Sequence, residues 1–216
     1  MRLFFLLFLL IFFPTEETAW VHPEPSKMEI YVNLWRKELL LMKDGTVIKR
    51  YPISAGTSDT PTPIGDFRVV QKSAEWGSGF GSRWLGLNVP FGIYGIHGTN
   101  KPHLIGRYVS HGCIRMRNRD VEDLYDRVSL NTPVRVDGPI LGKEELNYRI
   151  LVRGSMGSLV QLVQNRLLAG GYYAGPPHGI FDDATEQAVK RYQKENGLNV
   201  TGQIHFADLV SLGIVE

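Results

Sequence analysis

At 216 residues with a net charge of +2, the chain has room for one large domain or two small ones. It lacks the basic excess expected of a nucleic-acid binder. Its apolar content, 43%, is ordinary for a globular protein, and no low-complexity tract or clear internal repeat interrupts it.

The chain opens with a targeting pattern. Arg2 and the amino terminus supply positive charge, residues 3–13 are uninterruptedly apolar, and Pro14 ends the run. As helix, that run spans only ~17 Å, against roughly 30 Å of bilayer hydrocarbon. It therefore reads as the apolar region of a secretory signal, 1–19, and the protein as exported beyond the cytoplasm. Glu17-Thr18-Ala19 is an imperfect cleavage site, so cleavage and membrane anchoring both stay open. Residues 20–27 read as a linker.

From Met28 the pattern is that of strands. Met28, Ile30, Val32 and Leu34 alternate with more polar neighbours, and two further strands, 39–42 and 46–53, flank Lys43-Asp44-Gly45, a hairpin signal. The first domain, 28–137, is thus expected to open as an antiparallel sheet. Thr60 to Phe67 form a constrained turn into a strand at 67–71. Residues 74–92 combine five glycines with Trp76, Phe80, Trp84 and Phe91 and read as irregular, the aromatics either covering a core edge or touching a ligand. A short strand, 93–96, delivers His97 to its end. A loop at 99–109 follows. Asn118 reads as the N-cap of a helix presenting Val121, Leu124, Tyr125 and Val128 on one face, and 132–136 as the last strand.

The chemistry concentrates in that loop. Cys113 is the only cysteine, so it has no internal disulfide partner. In an oxidising compartment an unpaired thiol is a liability unless it is used. A thiol needs a base to become an effective nucleophile, and His111 and His97 stand two and sixteen residues before it. Gly112 lets the backbone approach a bound carbonyl, and amides nearby could hold a developing oxyanion. Ser110 lacks the Gly-x-Ser-x-Gly elbow of a serine nucleophile. The spacing of His97, His103, His111 and Cys113 matches no common zinc site, so no metal or cofactor is expected.

Ser110-His111-Gly112-Cys113-Ile114-Arg115-Met116, with His97-Gly98 upstream and Thr62-Pro63-Ile64-Gly65-Asp66-Phe67 before it, resembles the active-site signature of L,D-transpeptidases with YkuD-like catalytic domains. The resemblance implies a mostly-β, sandwich-like domain with one helix beside the site. It implies acyl transfer between peptidoglycan stem peptides, with Cys113 attacking the carbonyl between a diamino acid and D-Ala and His97 moving the proton. Gly98 would offer its carbonyl to the other ring nitrogen, as the carboxylate does in a serine triad. His111 either orders the site or assists substrate binding, and Arg115 either meets a substrate carboxylate or anchors the loop. Carbapenem-type β-lactams would acylate the same thiol. Two other readings stand beside this one: an L,D-carboxypeptidase using water as acceptor, and a non-catalytic wall-binding protein.

After a polar linker, 138–149, the period changes. Residues 150–216 carry a helix with Leu159, Val160, Val163 and Leu167, ended by Gly170-Gly171, then a second opening at Asp183 with Glu186 as a capping-box-like pair, and a third near 205–212. Val160, Gln164, Leu167, Gly171-Tyr172, Gly179-x-Phe181, Thr185, Ala188-Val189, Tyr192-Gln193 and Gly197-Leu198 resemble the small three-helix, all-α peptidoglycan-binding domains of wall enzymes. His178 and Asp182 depart from that pattern. The polar linker predicts two independently folded units with the cell-wall polymer as ligand. Nothing in the sequence speaks to oligomeric state.

Overall fold

The computed structural model describes residues 27–139 and 149–215. Residues 1–26, expected to be a targeting segment and linker, and most of the second expected linker lie outside the described residues. The strand-rich part runs β1 (Met28–Asn33), β2 (Glu38–Lys43), β3 (Thr46–Pro52), β4 (Ala55–Gly56), β5 (Gly65–Ser73), β6 (Trp84–Leu87), β7 (Tyr94–His97), β8 (Tyr108–Ser110), β9 (Ile114–Arg115), α1 (Asn118–Arg127) and β10 (Pro133–Asp137). One curled eight-stranded sheet has the order β3-β2-β1-β10-β5-β6-β7-β9, and β4 with β8 makes a separate two-stranded ladder.

The alternation read from the sequence sets the opening register. Ile30 pairs with Leu41 and Val32 with Leu39, and on the other side the same two residues pair with Val134 and Val136. All six are 1% exposed or less, so one face of three strands forms a continuous apolar wall. The β2–β3 hairpin turns at Asp44-Gly45 as expected, with the Lys27 amide donating to the Asp44 carboxylate at 2.7 Å. The sheet is not purely antiparallel: β1 pairs β10 in parallel, and β7 pairs β9 in parallel.

Within the stretch read as irregular, β6 is a strand whose four residues are all buried. A strand covered on both faces shows no alternation, so the period-2 signal was absent. Asn118 is not the helix cap. It is the first helical residue, and Arg117 occupies the cap position without a side-chain bond. Val121 and Leu124 bury the inner face of α1, while Lys72 donates to the carbonyls of Tyr125 and Val128, each at 2.6 Å, and so satisfies the C-terminal end of the helix.

The helical part comprises α2 (Ser158–Ala169), α3 (Asp183–Glu195) and α4 (Phe206–Ser211) around Val160, Val163, Leu167, Phe181, Val189 and Leu209. The N-cap of α3 is Asp182, one residue before the expected pair, accepting from the Thr185 amide at 2.9 Å. Two buried amides hold the turns together. Gln164 accepts from the Gly179 amide and donates to the Ile180 carbonyl. Gln193 accepts from the amides of Thr201 and Gly202 and donates to the Gln203 carbonyl.

The two parts touch. The Ile64 amide donates to the Ser158 hydroxyl at 3.0 Å, and Ile180 packs against the core of the strand-rich part. These contacts join surfaces that lie away from the polar linker in sequence.

Candidate active site

His97 ends β7, and β9 runs parallel beside it, placing His97 opposite Arg115. The Met116 amide closes this ladder on the His97 carbonyl at 2.8 Å, and Ser54 exchanges both backbone hydrogen bonds with Arg115, at 2.8 and 2.9 Å. The strand ends therefore hold the thiol loop between two fixed backbones. His97, His111, Cys113 and Arg115 line one cavity of about 500 Å³ together with Trp76, Phe80, Trp84 and Ile93. His103, in a short 3₁₀ turn, does not line it.

The two candidate bases differ sharply. His97 is 2% exposed, and its Nδ1 lies 2.6 Å from the Gly98 carbonyl oxygen. A carbonyl only accepts, so Nδ1 carries the proton and Nε2 keeps the lone pair of the neutral ring. His111 is exposed at the cavity rim. Burial pulls the His97 imidazole down to about 4, with the positive charge of Arg115 adding to the effect and the backbones of Gly98 and Phe80 opposing it. The ring is thus neutral near pH 7, the state a proton acceptor requires.

Burial likewise pushes the Cys113 thiol above its ordinary value, while a hydrogen bond from the Gly95 backbone and the Arg115 charge pull the other way. Near neutrality both Cys113 and His97 are therefore uncharged, and both line the same cavity.

Ser110 is 1% exposed and its hydroxyl donates to the Cys113 carbonyl at 2.6 Å. The same oxygen accepts from the Gly112 amide at 3.1 Å. Ser110 is therefore a staple of the loop, and the Gly112 amide, expected among the oxyanion donors, is already engaged. The Cys113 amide donates to no acceptor among the described residues and is left available as a donor. Gly112 has a second role: φ is +108°, and a Cβ there would lie 2.5 Å from Tyr94 Cε1, so only glycine lets the loop lie on that ring.

The guanidinium of Arg115 meets no carboxylate among the described residues, although its backbone is clamped at Ser54. The clamp accounts for loop anchoring through the main chain and leaves the side chain in the cavity. Three of the four aromatic residues line the cavity, and Phe91 belongs to the core. Trp84 is 1% exposed yet lines the cavity; Trp76 stacks on it at 5.1 Å, and Phe80 meets the His97 ring edge-on at 4.9 Å.

Asn118 has a role that its helix-start position concealed. Its Oδ1 accepts from the Ser82 amide at 3.3 Å and leaves no room for a Cβ on Gly98, which would come within 2.3 Å. It ties the Phe80 loop to the His97-Gly98 turn. Asparagine at a helix start is the ordinary capping signal, so the sequence held no cue to this second use.

Among the described residues no group of His, Cys, Asp or Glu could hold a metal ion. A profile of the YkuD family, the L,D-transpeptidase catalytic domain, matches residues 27–136, and one of a peptidoglycan-binding domain matches residues 156–204. A Bacillus subtilis protein named as an L,D-transpeptidase, YkuD, is 41% identical over 117 residues, covering 53% of this chain and 70% of its own length. A second from B. subtilis, YqjB, is 34% identical over 140 residues, covering 58% of this chain and 80% of its own. Among solved structures, an L,D-transpeptidase of Enterococcus faecium superposes with a TM-score of 0.47 at 26% identity, over 51% of this chain and 50% of that one.

Proposed function

Because the chain belongs to the YkuD L,D-transpeptidase catalytic-domain family, we propose that it joins peptidoglycan stem peptides through a thioester on Cys113. The observation that carries this reading is the His97 Nδ1 bond to the Gly98 carbonyl, which leaves the other ring nitrogen as base in the cavity that also holds the sole thiol.

In the first half-reaction Cys113 Sγ attacks the carbonyl between the diamino acid and D-Ala while its proton passes to His97 Nε2. The imidazolium is supported by the Gly98 and Phe80 backbones. The Cys113 amide donates to the oxyanion. The C–N bond then breaks, His97 returns the proton to the departing D-Ala amine, and a thioester remains. An amine of a second stem attacks that thioester, gives its proton to His97, and displaces the thiol, which is reprotonated as the cross-link forms. The apolar walls of Trp76, Phe80, Trp84 and Ile93 disfavour water as acceptor, and the guanidinium of Arg115 is placed for a substrate carboxylate. No metal or cofactor takes part in this scheme.

A strained β-lactam offers the same thiol an acyl group, so carbapenem-type compounds are expected to modify Cys113. The helical part, matching a peptidoglycan-binding domain, would hold the enzyme on its polymer. A polymer of that kind lies outside the cytoplasm, and residues 1–19 would carry the protein there. Purified enzyme incubated with a tetrapeptide stem and a stem amine should yield free D-Ala and a product of the mass of the cross-linked dimer. Release of D-Ala with only a shortened stem would replace the transpeptidase with a carboxypeptidase. No product from either route would remove the reading.

A further inference from the structure

The turn at Gly179-Ile180 of the helical part presses into the strand-rich core. A Cβ on Gly179 would stand 2.5 Å from Phe91 Cδ1, so the turn backbone already lies on that ring. Phe91, 7% exposed, meets Tyr94 edge-on at 5.9 Å, and the Tyr94 ring is the surface against which Gly112 lies. A second line of contacts reaches the other side of the same loop. Ser158 accepts from Ile64, at the end of the Thr60–Ile64 turn, and the Thr60 hydroxyl donates to the Ser110 carbonyl at 3.1 Å. The helical part thus reaches both flanks of the segment that presents Cys113.

We propose that the helical part is a positioning element for the thiol loop, acting through Ile180, Phe91 and the Tyr94 ring on Gly112-Cys113, so that wall attachment and acyl transfer are mechanically joined. This rests on the reading of Cys113 as nucleophile. Phe91, Tyr94 and Ile180 are positioning residues; none is required to touch substrate. The Tyr94 hydroxyl has no hydrogen-bond partner among the described residues, so the ring, not the OH, carries the effect. An interface between tightly packed surfaces passes displacement on because neither side is compressible.

The test uses the full-length protein and two readouts. One is kcat and KM on a soluble stem with a stem amine as acceptor. The other is the pH profile of iodoacetamide alkylation of Cys113, the only cysteine, which requires no turnover. The groups surrounding the thiol are His97, His111, Arg115 and Tyr94, all left intact by Ile180→Ala and Ser158→Ala.

Ile180→Ala should lower kcat roughly 10-fold at nearly unchanged KM, the scale at which small misplacements act. It should also move the alkylation midpoint down toward an ordinary thiol, since burial is the larger influence on Cys113. Tyr94→Leu should do the same, whereas Tyr94→Phe should match the wild type in both readouts. Thermal unfolding confirms that each variant is folded, and Ser158→Ala, which removes only one hydrogen bond, serves should Ile180→Ala not fold. An unmoved alkylation midpoint in Ile180→Ala and Tyr94→Leu overturns the proposal, even if kcat falls, because general destabilisation would explain that fall. A shifted midpoint in an enzyme that never turns over stems upholds the positioning role and removes the transpeptidase reading instead.

Discussion

The helical part satisfies its buried polar groups within the fold, whereas the strand-rich part leaves some of its polar groups open toward a cavity. In the helical part Gln164, Thr185 and Gln193 are 0% exposed, and their side chains are hydrogen-bonded. Such groups cost nothing further and specify the turns they hold. In the strand-rich part Ser110 is saturated in the same way, but His97, 2% exposed, keeps a lone pair toward a cavity, and among the described residues the Cys113 amide has no acceptor and the Arg115 guanidinium no carboxylate. Saturated polar groups build a fold; unsaturated ones, held rigidly, are available to a substrate. Motif residues of both kinds look alike in sequence, and only the count of their partners separates them.

The largest expected effect breaks the strand-rich side of this contrast. Cys113→Ala should abolish product formation while unfolding at the wild-type temperature, read by product mass and thermal melting. Turnover in that variant would remove Cys113 from the mechanism. Next, His97→Ala should slow acylation by about 10²–10⁴-fold, the ordinary contribution of a positioned imidazole. His111→Ala should cost far less, because His111 is exposed and has no comparable partner among the described residues. A reversed order would exchange their roles.

The third prediction concerns the saturated side. Gln193→Ala orphans the amides of Thr201 and Gly202, at about 1–3 kcal/mol for each buried group left unsatisfied. Urea unfolding should show that loss, with the alkylation profile of Cys113 unchanged, since Gln193 lies on neither route to the thiol loop.

The last effect is in pH. His97 sits at about 4 in the folded chain, against ~6.5 for a free imidazole. Its folded pKa is depressed, so the unfolded chain binds the proton more readily between these values. The resulting stability is present above about pH 6.5 and is lost as pH falls through about 4. Thermal melting of the wild type should therefore decline across that window more steeply than that of His97→Gln. The acid limb of kcat/KM should fall near pH 4; a limb near 6.5 would mean that the ring is better solvated than its burial indicates.

Much of this was legible in the chain because it was local. Alternation at Ile30, Val32, Leu39 and Leu41 needs only a strand with one buried face, and the Asp44-Gly45 turn needs only its own backbone preferences. Cys113 and His97 stood out as a lone thiol with an imidazole nearby in a long motif, and the helices of the C-terminal part followed from their period. Tertiary structure decided what depends on partners distant in sequence. It made β6 a doubly covered strand, assigned the Gly112 amide to Ser110, turned Asn118 from a cap into a tie between two loops, and laid Ile180 against the core that backs Cys113. The physical reason is the range of the interactions. Backbone preference and hydrophobic period act over a few residues and are written in order, whereas burial, pKa and hydrogen-bond saturation are properties of a neighbourhood assembled from segments up to a hundred residues apart.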